Sequence, residues 1–243
     1  YNNRYLMNIV FFTNDDFAIN SLKKLTNSKH KILACITDTP KKKGRGLNKY
    51  SNIYQQYFND KNLNIIEHDD LNDPTFISHL KTMSADVYIV IAYKIIPKKI
   101  FSIPPKGTIN LHASILPEYR GAAPIQRTLM NNSNNAGVTT FIINEQIDDG
   151  DIIIQKSIEI DDKINYNKLS ELLSILGSNI LMESLNLISS DNVKYIKQGK
   201  CIKYANKIKK NEYKIDFNNN SLKIHNKIRA LTGPGCYTYY KQK

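Results

Sequence analysis

Apolar positions fall along this chain in two alternating rhythms. Short apolar runs, MNIVFF (7–12), KILACIT (31–37), LNIIEH (63–68), DVYIVIAY (86–93) and GTINLHAS (107–114), have the length and composition of strands. Between them, residues 16–25, 51–61, 73–83 and 97–103 read as helices. Phe17, Ile19, Leu22 and Leu25 form a helical stripe after an Asp cap, Ser51 stands at the second start, and Pro74 sits in the third's first turn. Strands and helices alternating at this spacing imply right-handed βαβ units and an α/β fold with a doubly wound, mostly parallel sheet. Past residue 114 the rhythm changes. Residues 123–132 predict a helix, 137–144 and 151–160 two strands joined by the hairpin-like EQIDDG, and 165–189 one long amphipathic helix. Beyond about residue 190 the chain turns rich in Lys and Asn and is too short for a domain with its own core. The division predicted is a main domain over 7–190 and an appendage over 191–243.

A strand inside a doubly wound sheet is expected to be apolar on both faces. The run at 107–114 breaks that rule. By strict alternation Asn110, His112 and Ser114 share one face. They stand at the carboxyl end of the strand, where open α/β sheets bind ligands. This is either a satisfied buried histidine with polar strand-end neighbours or the edge of a site. The acidic run Asp148–Asp149–Gly150–Asp151 has three readings: a tight turn before a strand, a metal loop, or a carboxylate that orients a histidine. Its spacing does not match a calcium loop, and no nearby His or Cys completes a transition-metal set. There is no P-loop, no G-x-G-x-x-G and no G-x-S-x-G elbow. Asn, His and Asp together suit direct transfer between two bound substrates, with His moving a proton and Asn meeting an oxyanion.

Composition narrows the partners. With 34 basic and 22 acidic residues the formal charge is +12, which points to nucleic acid, to an anionic membrane surface, or simply to solubility. The three cysteines, Cys35, Cys201 and Cys236, are scattered and form no C-x-x-C pair, as expected of a reducing compartment rather than a disulfide scaffold. No apolar run approaches the ~20 residues of a membrane span. Residues 1–6 lack the apolar stretch of a signal peptide and read as an extension before Met7.

The stretch INLHASILPEYRGAAPIQRTLMNNSNNAGVTTFIINEQIDDGDII, with KKKGRG and ADVYIVIAY upstream, resembles the methionyl-tRNA formyltransferase family over roughly residues 7–235. The resemblance implies a Rossmann-like formyltransferase fold with a short C-terminal appendage, a linker and truncated remnant of the family's C-terminal domain. It implies formyl transfer from 10-formyltetrahydrofolate to the amino group of initiator methionyl-tRNA, without a metal or a covalent intermediate. The catalytic set it implies is Asn110 on the formyl oxygen, His112 on the proton and Asp148 orienting His112. Ser114, Ile115, Leu116 and Pro117 would line the folate site, and the backbone of Ile91, Ala92 and Tyr93 would contact the pterin. The basic loop Lys41, Lys42, Lys43 and Arg45 would reach the acceptor stem, with Lys207 and Lys210 extending that contact. RGAAPIQR is the part that favours tRNA as acceptor. A monomer is implied, in bacterial cytoplasm or an organellar matrix, without a membrane partner. A sugar-nucleotide or other small-amine N-formyltransferase would share the same Asn/His/Asp centre, and a catalytically silent nucleic-acid-binding relative is the third reading. Three departures stand out. Thr13–Asn14–Asp15–Asp16 replaces a glycine-bearing turn, Lys94 stands where a glycine follows AY, and most of the C-terminal domain is missing.

Overall fold

The computed structural model describes residues 6–40 and 53–240. Its elements in chain order are β1 (Asn8–Thr13), α1 (Ile19–Thr26), β2 (Lys31–Thr37), α2 (Ile53–Asp60), β3 (Ile65–Glu67), α3 (Pro74–Thr82), β4 (Val87–Ile91), α4 (Lys98–Phe101) and β5 (Thr108–His112). There follow α5 (Pro124–Met130), β6 (Asn135–Ile142), β7 (Ile152–Glu159), α6 (Tyr166–Ser189) and α7 (Ser221–Ala230). The seven strands form one sheet in the order β3-β2-β1-β4-β5-β6-β7. The first five run parallel, while β6 and β7 are antiparallel to their neighbours. This is the doubly wound, mostly parallel sheet that the alternating runs imply.

Alternation along the central strands fills two layers. Ile9, Phe11, Ile89, Ile91, Ile109 and Leu111 pack with α1, α2 and α6, whereas Val10, Phe12, Tyr88 and Val90 meet Phe76, Ile77 and Leu80 of α3 and Ile100 of α4. Helix α6 is 24 residues long and apolar enough, by length and composition, to cross a membrane. Here Leu169, Leu173, Ile180, Leu181, Leu185 and Ile188 are buried against the sheet, so it serves as a core helix. It presses close to β5. A Cβ on Gly177 would stand 2.8 Å from a methyl of Leu111, which fixes the strand next to Asn110 and His112.

Three features depart from expectation. The turn after β1 needs no glycine, because no residue of 13–16 has a positive φ. The Asn14 carboxamide oxygen accepts from Asp38 N (2.8 Å) and Thr37 Oγ1 (3.0 Å), and the Asp15 carboxylate caps Phe17 N (2.8 Å). Lys94 also needs no glycine conformation; the left-handed residue there is Ala92 (φ 49°). The region past 190 packs back on the main core. Helix α7 packs on α5, Ala230 and Leu231 join the main core, and buried Arg229 donates to Asn226 Oδ1 and Asp161 O, both at 2.8 Å. Lys41, Lys42, Lys43 and Arg45, together with Ser51, lie outside the described residues.

Candidate active site

A cleft of about 1250 Å³ opens over the carboxyl ends of β1, β4 and β5. This is where the strand order reverses and where such sheets place ligands. Asn110 and His112 lie on its floor, Ala92–Lys98 and Asn144–Asp148 form opposite walls, and Asn14, Asp15, Tyr166 and Lys207 also reach it. A salt bridge between Lys98 and Glu145 joins the two walls. The exposed Ile95 and Ile147 stand at the rim. Burial, with the nearby Asp15 carboxylate as a second cause, holds the Tyr166 hydroxyl above its ordinary range, so it is a hydrogen-bond donor at neutral pH.

The histidine geometry fixes its chemistry. His112 is 8% exposed, and its Nε2 lies 2.8 Å from the carbonyl oxygen of Tyr119. A carbonyl only accepts, so Nε2 carries the hydrogen and the lone pair of the neutral ring sits on Nδ1. Nδ1 lies 3.8 Å from Asp148 Oδ2. That is too long for a hydrogen bond and short enough for charge stabilisation once the ring is protonated. The same Asp148 oxygen accepts the N–H of Gly121 at 2.8 Å. Among the described residues no hydrogen bond engages the Asn110 side chain, which leaves its NH2 free to meet an oxyanion over the floor.

Backbone conformations around this pair are unusual. Tyr119, Gly121 and Asp148 all have positive φ, at 62°, 122° and 51°. Such residues persist where the surrounding structure over-determines them, and they cluster at functional sites. Gly150 backs the acidic turn so tightly against Ile142 that a Cβ there would stand 1.6 Å from the Ile142 carbonyl oxygen.

Expected site residues divide by location. Asn110, His112 and Asp148 all line the cleft, with Asp148 facing His112. Ala92 and Tyr93 line the cleft, but Ile91 is buried in the core behind it. Ser114, Ile115, Leu116 and Pro117 are not among the residues that line this cleft. The strand ends at His112, so alternation stops there and Ser114 turns inward to donate to Glu118 O (2.7 Å). The next residues are drawn onto β6 and β7, where Thr139 Oγ1 donates to Ser114 O (2.7 Å) and Gln155 Nε2 to Leu116 O (2.8 Å). Leu116 packs with Phe141 and Ile152. Lys207 reaches the cleft, while Lys210 is exposed in the 3-10 turn Lys210–Tyr213. Both arginines of RGAAPIQR are engaged within the chain. Arg120 pairs with Asp149, and Arg127 pairs with Glu212 (2.7 Å). Sequence reading missed Tyr119 and Gly121, whose only signal was the glycine in EYRG, and Gln198, which carried none. Among the described residues no three His, Cys, Asp or Glu side chains gather as a metal site requires.

A family model described as Formyl transferase matches residues 7–185, and one described as Formyl transferase, C-terminal domain, matches residues 207–243. The chain is 40% identical over 237 residues to the methionyl-tRNA formyltransferase of Thermodesulfovibrio yellowstonii, an alignment spanning 97% of this chain and 77% of that protein. Among solved structures, a 4-N formyltransferase from Francisella tularensis superposes with TM-score 0.76 at 19% identity over 97% of this chain and 93% of that one. The sugar 3N-formyl transferase WlaRD, crystallised with dTDP and 5-N-formyl-THF, does so with TM-score 0.68 at 22% identity over 92% and 78%. These two structural likenesses establish the fold.

Proposed function

Because this chain belongs to the formyl transferase family, we propose that it moves a formyl group from 10-formyltetrahydrofolate to the free amine of initiator methionyl-tRNA. The observation that carries the chemistry is Asn110 beside His112 on the cleft floor, with Asp148 facing His112 Nδ1. The likeness to a methionyl-tRNA formyltransferase at 40% identity carries the acceptor.

The amine of an aminoacyl ester is nucleophilic without activation, so catalysis is mostly positioning and electrostatics. As the amine attacks the formyl carbon, negative charge grows on the formyl oxygen and the Asn110 NH2 donates to it. His112 accepts the amine proton at Nδ1, because Nε2–H is held by Tyr119. Asp148 stabilises the resulting imidazolium. The proton then passes to N10 of the folate as the C–N10 bond breaks, which leaves tetrahydrofolate and a formylated amine in balance. The wall of Ala92 and Tyr93 receives the pterin, and Lys207 and Lys210 offer phosphate contacts whose strength falls as salt rises. One chain supplies all three catalytic groups, so a monomer suffices. Its setting is a compartment that starts translation on formylmethionine, whether bacterial cytoplasm or an organellar matrix.

The test is a formylation assay with 10-formyltetrahydrofolate and charged initiator tRNA, run beside an amino-sugar nucleotide. Label on the tRNA alone is expected. Label on the sugar alone would replace the acceptor, a reading that has only the distant structural likeness in its favour.

A further inference from the structure

The region past the main helix runs back over the active-site loops. Ile196 pairs with Ile152 through two main-chain bonds of 2.8 and 2.9 Å. Farther on, Tyr119 N donates to Lys203 O (2.6 Å) and Ala205 N to Arg120 O (2.7 Å). Between these anchors Gln198 is half-buried while the residues on either side of it, Lys197 and Gly199, are exposed. Its Nε2 donates to the carbonyls of Asp148 (3.0 Å) and Gly150 (2.7 Å), and its Oε1 accepts from Arg120 Nε (3.1 Å) and Nη2 (2.8 Å). One carboxamide thereby uses both donors and its acceptor oxygen on three residues of two loops.

Those loops are the ones that hold the catalytic pair. Arg120 lies between Tyr119, whose carbonyl holds His112 Nε2, and Gly121, whose N–H holds Asp148. The Arg120 guanidinium also pairs with Asp149 and donates to Gly199 O (3.1 Å). Asp148 itself is in a left-handed conformation, which its neighbours must maintain. Gln198 is not itself among the residues that line the cleft, and its side-chain bonds go to Asp148, Gly150 and Arg120 rather than to His112.

Resting on the reading above, we infer that Gln198 is a positioning residue for formyl transfer. It fixes the distance between Asp148 and His112 from a segment outside the residues matched by the N-terminal family model. Removal of its amide frees the acidic turn. Displacement of a catalytic group by about 1 Å can cost on the order of a hundredfold in rate.

The experiment compares wild type, Gln198→Ala and Gln198→Glu. The glutamate retains the acceptor for Arg120 and sets a carboxylate against two carbonyls. Both variants are expected to lower kcat about tenfold to a hundredfold, with little change in the KM for folate. NMR at fixed pH reads the same displacement without turnover, with the His112 ring and Gly121 amide resonances moved in the variants from their wild-type positions. Superposed resonances, or a rate loss that only follows a lowered Tm, would overturn the inference. Failure of the wild-type protein to formylate methionyl-tRNA would instead overturn the proposed function and leave the NMR comparison to decide on Gln198.

Discussion

The main-chain N–H of Gly121 donates to Oδ2 of Asp148 at 2.8 Å, across a gap of 27 residues in sequence. This bond aims the carboxylate. The oxygen that accepts it is the one facing His112 Nδ1, so the loop after β5 and the loop after β6 are registered through one atom.

Asp148→Asn separates charge from geometry. The amide oxygen can still accept from Gly121, but no anion faces the imidazolium. We expect a kcat loss on the order of 10²–10⁴-fold, the range associated with general acid–base machinery, with Tm nearly unchanged. Steady-state kinetics and a thermal melt check both; turnover within a few-fold of wild type would refute the role of Asp148.

Gly121→Ala tests the loop itself. Gly121 has φ 122°, and a Cβ there would stand 2.7 Å from the Ala205 carbonyl oxygen. Backbone atoms cannot yield as a flexible side-chain end does, so the substitution pays strain of about 1–3 kcal/mol and shifts the N–H away from Asp148. Stability and activity should fall together, in contrast to Asp148→Asn, as urea unfolding and kcat measured on one preparation will show.

Asn110→Ala removes the donor for the formyl oxygen. Loss of one oxyanion-hole donor costs about 10²–10³ in kcat. Because the charge appears only in the transition state, the KM for folate should hold steady. A raised KM with unchanged kcat would assign Asn110 to ground-state binding instead.

The legible part of this molecule was the part that periodicity governs. Asn110 and His112 stood out because a buried parallel strand has no physical reason to carry them. The Asp148 turn could be seen but not assigned, since only the fold brings it to His112. Ser114 to Pro117 came from the resemblance, and alternation could add only the facing of Ser114, which lapses where the strand ends at His112. Helix α7 escaped notice because two of its buried residues are Asn226 and Arg229; their partners, not their hydropathy, keep them inside. Gln198 lies in a Lys-rich extended segment without rhythm, and its role is visible only as hydrogen bonds to distant loops.

The last prediction concerns how the C-terminal region is held, and it can be read by pH. Arg127 at the end of RGAAPIQR meets Glu212 through two bonds, Nη1 to Oε2 at 2.7 Å and Nη2 to Oε1 at 3.0 Å, and Lys209 N donates to the same carboxylate at 2.8 Å. The Arg127 hydrogen bonds, against an opposing effect of burial, hold the Glu212 carboxyl below the usual range. A group whose folded pKa is depressed stabilises the fold above its unfolded value, about 4.3 for Glu, and loses that contribution as pH falls through the folded value. The pair is partly exposed, so solvent screening limits its worth to about 1 kcal/mol or less. Glu212→Gln should therefore be slightly less stable than wild type at pH 7. The gap should close as urea midpoints are followed from pH 5 down through pH 3. An undiminished gap at pH 3 would mean that shape and neutral hydrogen bonding, rather than charge, fasten this region to α5.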